Sequence, residues 1–397
     1  LLETGFGGIL GHITAIIGLG TLLGSILEKS GGARVLTGAL LRAFGERRAP
    51  LAMGIAGLIF GIPVFFDIGI FVLAPLVYVA AKQGGKSLVL YALPLLAGLS
   101  ITHAFLPPHP GPVAAAGLLH VELGWVILMG GICAIPAWFV GGVLFSSWVG
   151  KRIYIPVPED MIVADMDDDE DTDLPSLGLV AAIIAVPLVL ILAGTFGSIW
   201  LPKNATFLSG VAAFIGTPAV ALTISVLLAS WLLGIRRGLT GKELGELSAA
   251  ALRPVAMILL VVGAGAFFGA VLSATGIGKA VAGSLTDAGL PVILAAYVIS
   301  CGMRIAQGSA TVAIVTTSGI MAPTVTQLGY SQIQLALLVV AISAGSIIAS
   351  HVNDGGFWII SRYFNMSVPE TLKTWTVLET VLSVSGFAVA ALLITVV

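Results

Sequence analysis

Tyr91-Ala-Leu-Pro-Leu-Leu-Ala-Gly-Leu-Ser-Ile-Thr-His-Ala-Phe-Leu-Pro-Pro-His-Pro-Gly-Pro112 starts as an apolar helix and then meets four prolines and a glycine within six residues. Proline removes a backbone donor and clashes with the preceding turn, so the sequence predicts an extended, unwound stretch from His103 to Pro112. Apolar blocks lie on both sides, at about residues 88–106 and 112–149. Backbone that leaves the helix within lipid must be satisfied by protein or trapped water, so the break predicts the wall of a cavity.

The rest of the chain supports a membrane setting. Of 397 residues, 58% are hydrophobic and only 10% charged, against roughly 25% charged in a soluble domain, and the mean hydropathy is +1.09. Apolar runs long enough to cross a hydrocarbon layer of about 30 Å recur from end to end, which predicts an all-α polytopic protein of about ten to twelve segments, several of them broken. Nine of the 20 acids fall between Glu159 and Asp173. A like-charge run of that kind repels itself and stays solvated, so residues 159–176 read as a cytoplasmic linker between a first membrane repeat, 1–158, and a second, 177–397. Arg42, Arg47, Arg48, Lys151, Arg152, Arg236, Arg237 and Lys242 mark cytoplasmic ends by the positive-inside rule. Cys133 and Cys301 offer neither a disulfide framework nor a metal spacing, and no feature supports nucleic-acid binding.

Two echoes suggest duplication. Gly18, Gly20, Gly24, Leu27 and Gly31 match Gly263, Gly265, Gly269, Leu272 and Gly276 at an offset of 245. Gly98-Leu-Ser-Ile-Thr-His103 is echoed by Gly345-Ser-Ile-Ile-Ala-Ser-His351, again a small-residue helix entering a polar break. Transporters built from two repeats hold substrate near the midplane between interrupted helices.

Ionisable groups in apolar segments cost roughly 2.5–3.5 kcal/mol on insertion scales and invite a functional reading. Asp67, in Phe60-Gly-Ile-Pro-Val-Phe-Phe-Asp-Ile-Gly-Ile-Phe71, reads as a proton or substrate site, or else as a carboxylate pinned to a helix end. Arg304 precedes a glycine-and-hydroxyl stretch containing Gln307, Ser309 and Thr311; its fork suits a carboxylate, and the plainer alternative is an interfacial arginine. Ser100, Thr102, His103 and His109 edge the proline-rich break, where imidazoles and loose carbonyls suit hydroxyls or protons. His351, Asn353 and Asp354 precede a double glycine in the second half, as a site or as ordinary helix-cap chemistry. His12 and His120 read as structural. Walker-type loops, His-Glu-x-x-His pairs and Gly-x-Ser-x-Gly elbows do not occur, so the sequence gives no sign of an enzyme, a metal site or a cofactor.

The strings His103-Ala-Phe-Leu-Pro-Pro-His-Pro-Gly-Pro112, Arg304-Ile-Ala-Gln-Gly-Ser-Ala-Thr-Val-Ala313 and Ser350-His-Val-Asn-Asp-Gly-Gly-Phe-Trp358 closely resemble the gluconate permease family of bacterial proton symporters. The likeness runs the length of the chain. It departs at Phe66-Asp67, where several relatives have Tyr-Glu, at Gly355, where relatives often have proline, and in one or two N-terminal helices that the family usually carries. The resemblance implies two inverted repeats, each with a re-entrant hairpin and a broken helix, forming a scaffold and a transport domain in a homodimer of the bacterial inner membrane. It implies hairpins at Gly18–Ala33 and Gly263–Gly278. The expected activity is proton-coupled import of gluconate or a related sugar acid. Arg304 and hairpin backbone at Gly20 and Gly265 would hold the carboxylate. Ser100, Thr102, His103, Gln307, Ser309, Thr311, His351 and Asn353 would bind the polyol, and Asp67, Asp354 or His109 would carry the proton. A D-serine or other amino-acid carrier, sodium coupling, a passive channel and an intramembrane enzyme are the alternatives.

Overall fold

The structure, a computed structural model, describes residues 2–157, 174–200, 206–253, 255–275 and 291–397. The described residues form helices and connecting turns. In the first half these are α1 (Gly8–Lys29), α2 (Gly32–Phe44), α3 (Ala49–Phe60), α4 (Phe66–Gly84), α5 (Leu88–Phe105), α6 (Pro110–Leu118) and α7 (Leu123–Gly150). The second half has α8 (Leu177–Trp200), α9 (Thr206–Ile215), α10 (Pro218–Ala229), α11 (Gly241–Leu252), α12 (Val255–Ala274), α13 (Val292–Gln307), α14 (Ala310–Leu328), α15 (Gln332–Ile347), α16 (Gly355–Tyr363) and α17 (Val368–Leu393).

Among the described residues six helices are long and apolar enough to span a membrane alone, or seven if the bent pair α1–α2 counts as one span. That is fewer than the ten to twelve segments expected. Glycine and proline divide several spans into pieces too short to cross, such as the 12 residues of α3 and the 16 each of α13 and α15. The acidic stretch expected to link the halves falls largely outside the described residues.

The α3–α5 crossing explains how broken segments still pack. A Cβ on Gly57 would lie 2.3 Å from the Leu95 carbonyl oxygen, and one on Gly98 would lie 2.5 Å from the Leu58 nitrogen. Only glycine lets the two backbones approach this closely, the usual device where lipid removes the hydrophobic drive for helix association. The result is that α5 is buried almost throughout its length and forms the centre of the bundle.

Breaks are shorter than the sequence predicts. The proline-rich stretch is unwound only over Leu106–His109, because Pro110 opens α6 at a position that needs no donor. His103 therefore lies in the last turn of α5, not in extended chain. The second-half break runs from Ile348 to Asp354, and Gly355 and Gly356 begin α16 instead of interrupting a helix. In both halves a long buried helix, a break and a nine-residue helix follow in that order. Gly18–Ala33 is helical to Lys29, turns at Ser30–Gly31 and restarts at Gly32, with a bend of 64°, the form of a broken span or a re-entrant loop. Most of the counterpart's turn, from Gly276 onward, lies outside the described residues.

Outside the spans, α11 begins with a capping box in which Thr240 Oγ1 accepts from the Glu243 amide at 3.2 Å and the Glu243 carboxylate accepts from the Thr240 amide at 2.8 Å. These bonds hold the Glu243 carboxyl below its ordinary range. A depressed carboxylate stabilises above its unfolded pKa and ceases to do so as the pH falls through the folded value. Acidification below the ordinary glutamate range is therefore expected to loosen the first turn of α11. Amide exchange of residues 241–246, corrected for intrinsic rate, should speed up in the wild type and show no such step in Glu243→Gln.

Candidate functional site

Three breaks border one cavity of about 380 Å³ and a fourth lies behind its wall, the volume falling within the roughly 300–1,000 Å³ of small-molecule sites. Gly61–Phe65 separates α3 from α4, Leu106–His109 separates α5 from α6, Gly308–Ser309 separates α13 from α14, and Ile348–Asp354 separates α15 from α16. Side chains tie the breaks in pairs. His109 Nε2 donates to the Gly61 carbonyl at 2.6 Å, and Asn353 Nδ2 donates to the Ile305 carbonyl at 2.9 Å. Each tie spans 48 residues, and the two are related by an offset of 244, one residue from that of the glycine echo.

Arg304 closes α13 and is only 4% exposed. Its Nη1 donates to the Gly308 carbonyl and its Nη2 to Oδ2 of Asp354, while Nε is buried with no partner among the described residues. Asp354 caps α16, accepting from the Gly356 amide at 2.9 Å, and also accepts from the Ser350 hydroxyl at 2.5 Å. Trp375 Nε1 donates to Ser350 Oγ at 2.8 Å, and its ring stacks on Phe66 with centroids 5.5 Å apart. The cap reading of the second-half cluster is seen in Asp354, and the capping carboxylate is also the arginine's partner.

The histidine pair has a fixed proton arrangement. A carbonyl only accepts, so His109 must carry its proton on Nε2. With both rings neutral, its bare Nδ1 then accepts from His103 Nδ1–H at 3.2 Å. That leaves His103 Nε2 as an acceptor, and His103 lines the cavity with Phe65 and Phe66 beside its ring.

Of the side chains singled out from sequence, Asp67, Ser100, His103, Arg304, Gln307, Ser309, Thr311, Asn353 and Asp354 line the cavity. Asp67 sits in the first turn of α4, open to that space. Thr102 is buried and donates back to the Gly98 carbonyl at 2.8 Å, His109 stands behind His103, and His351 Nε2 donates to the Ile305 carbonyl at 3.3 Å. Gly20 lies inside α1, where a Cβ would be 3.0 Å from Pro108, so it packs closely against the break. Gly265 is in α12, but its surroundings lie outside the described residues.

Glu379 completes the wall and was not anticipated. It is 2% exposed on α17, four residues beyond Trp375; Ser100 bonds its carboxyl, and its Oε1 has no partner among the described residues. An acid inside the apolar segment Val377–Leu393 passes the same test that selects Asp67.

Two-repeat membrane transporters build their sites from discontinuous helices around a polar cavity, and this fold, with its broken helices around such a cavity, is that of a membrane transporter. The comparisons agree. The model of the GntP family permeases matches residues 1–397. The inner membrane permease YgbN of Escherichia coli K12 is 42% identical, over 98% of this chain and 87% of that protein. The gluconate permease of Pseudomonas aeruginosa is 41% identical over 98% and 86%, and the Gnt-II system L-idonate transporter of E. coli K12 is 37% identical over 97% and 86%. The chain belongs to the GntP permease family, and it is a multi-pass transporter of the bacterial inner membrane, not an enzyme. The Alcanivorax borkumensis YdaH transporter shares the fold, with a TM-score of 0.62 and 16% identity over all of this chain and 87% of that one. Neisseria gonorrhoeae MtrF does likewise, at 0.63 and 17% over 98% and 83%.

Proposed function

We propose that this permease imports gluconate or a closely related sugar acid together with protons, by alternating access. The observation that carries the reading is the composition of the cavity wall. Three carboxyls, Asp67, Asp354 and Glu379, face one guanidinium, Arg304, among the neutral groups of Ser100, Gln307, Ser309, Thr311 and Asn353. The guanidinium suits a carboxylate and the neutral groups suit a polyol. An entering anion, however, competes with Asp354 for Arg304 and adds negative charge to a site that already has more acids than bases. In a low-dielectric setting that charge is repelled unless a cation enters with it, and acids within reach can take a proton. The names of the gluconate and L-idonate relatives support a sugar acid as the solute.

The matching sequences of helix, break and nine-residue helix, with the 48-residue ties, support two repeats in the chain, which we read as inverted and as divided near residues 159–176. The dimer implied by family resemblance belongs to the same reading, and the mass of the detergent-solubilised protein checks it. The deciding experiment is uptake of labelled gluconate into proteoliposomes under an inward proton gradient. Saturable accumulation that disappears when the gradient is collapsed is expected, with competition by other sugar acids and not by D-serine. Uptake that follows a sodium gradient, or that never exceeds equilibration, would overturn the reading.

A further inference from the structure

The three carboxyls of the cavity are not equivalent, and their differences assign the proton. Asp354 accepts from Arg304, from the Ser350 hydroxyl and from the Gly356 amide. Those donors suit an ionised carboxylate, which can only accept. Asp67 is open to the cavity, where water can solvate its charge. Glu379 has neither arrangement, because it is almost fully buried and Oε1 lacks a partner among the described residues. With only the Ser100 hydroxyl bonding its carboxyl among the described residues, an ionised Glu379 would be far more costly than a neutral one.

We propose that Glu379 is the residue that binds the transported proton, taking it up before substrate enters and releasing it when the cavity opens to the other side. This deepens the proton-symport reading and rests on it. The charged groups that act on Glu379 through their electrostatics are Arg304 and Asp354. Among the helices packed against α17, α5 brings Tyr91 and His103, α7 brings Cys133, α13 brings Tyr297, Cys301 and Arg304, α16 brings Arg362 and Tyr363 against the first turns of α17, and α15 brings no titratable group. Glu370 and Lys373 lie earlier on α17 itself. Arg304 is thus the cation within reach of Glu379 among these groups, and it is already engaged by Asp354. A substrate carboxylate that draws on Arg304 leaves an ionised Glu379 with still less compensation, which links arrival of the anion to arrival of the proton.

The test uses the full chain in proteoliposomes with labelled gluconate. Under a gradient of about one pH unit, coupling to one proton concentrates the solute about tenfold. In Glu379→Gln that accumulation is expected to vanish, and exchange of labelled for unlabelled gluconate should lose its dependence on pH. Glu379→Asp keeps a carboxyl in a shorter side chain, so it should still accumulate, with its pH profile displaced from that of wild type. Accumulation by Glu379→Gln at the wild-type level, or a Glu379→Asp profile that overlays the wild type, overturns the assignment. Should Glu379→Gln not fold, Glu379→Asp alone decides. An infrared spectrum without substrate removes dependence on the solute: the carboxyl C=O band of a protonated, buried acid is expected in wild type and absent from Glu379→Gln, and its persistence in the variant also overturns the proposal. Failure of wild type to accumulate gluconate, with this band present and lost on mutation, would instead count against the solute and leave Glu379 as the proton site.

Discussion

Arg304→Ala is expected to abolish gluconate uptake while leaving a folded protein in the membrane. The guanidinium joins two breaks, donating to the Gly308 carbonyl on one side and to Asp354 on the other, and it faces the cavity. Truncating one member of a buried, hydrogen-bonded charge pair typically costs roughly 2–5 kcal/mol, about thirtyfold to several-thousandfold in affinity. The fold tolerates the loss because Asp354 keeps two other donors and borders the cavity, where water can replace the lost partner. Arg304→Lys should not rescue transport. An ammonium is a point charge on a flexible stem and cannot serve a carbonyl, a carboxylate and a substrate with the planar fork's geometry. Uptake assays set beside thermal unfolding in detergent separate the outcomes. Transport with unchanged affinity in a folded Arg304→Ala protein would remove the carboxylate from this position, and Arg304→Ala/Asp354→Asn, which removes both charges, should likewise stay folded without regaining uptake.

The character of the site was legible in the sequence to the extent that its signals are local. Proline and glycine inside apolar runs locate the breaks, and ionisable, amide or hydroxyl groups beside them supply nine of the side chains that line the cavity. Four features were not legible. The length of the proline-rich break was overestimated because proline is disfavoured inside a helix yet favoured at its start, and only the structure shows that Pro110 occupies the start. Gly20 suggested exposed backbone donors, but a glycine that brings one helix against Pro108 looks the same in sequence as one that exposes an amide. Glu379 comes 279 residues after Ser100, so its place in the wall depends on the packing of α17 against α5, which no local pattern reports. The pairing of breaks is equally nonlocal. It became visible through two hydrogen bonds that each span 48 residues.

Gly308→Ala is expected to be the most damaging single-methyl change in the chain's functional core. Gly308 ends α13 with a φ of +77°, a left-handed conformation that costs other residues roughly 1–2 kcal/mol. An added Cβ would also stand 2.2 Å from the Asn353 carbonyl oxygen, which is backbone and cannot swing aside as a side-chain end would. Relief requires that the α13–α14 and α15–α16 breaks separate, and overpacking of that kind adds about 1–3 kcal/mol. Separation would stretch the two contacts that orient the site, the Asn353–Ile305 bond and the Arg304–Asp354 pair. The variant should therefore lose both thermal stability and uptake, unlike Arg304→Ala, which is expected to lose uptake alone. Gly302→Ala provides the control, two residues before Arg304 on the same helix, with open space around the added methyl. It should match wild type in both assays. Wild-type uptake in Gly308→Ala would mean that the two breaks move apart freely and that their close contact is not what positions Arg304.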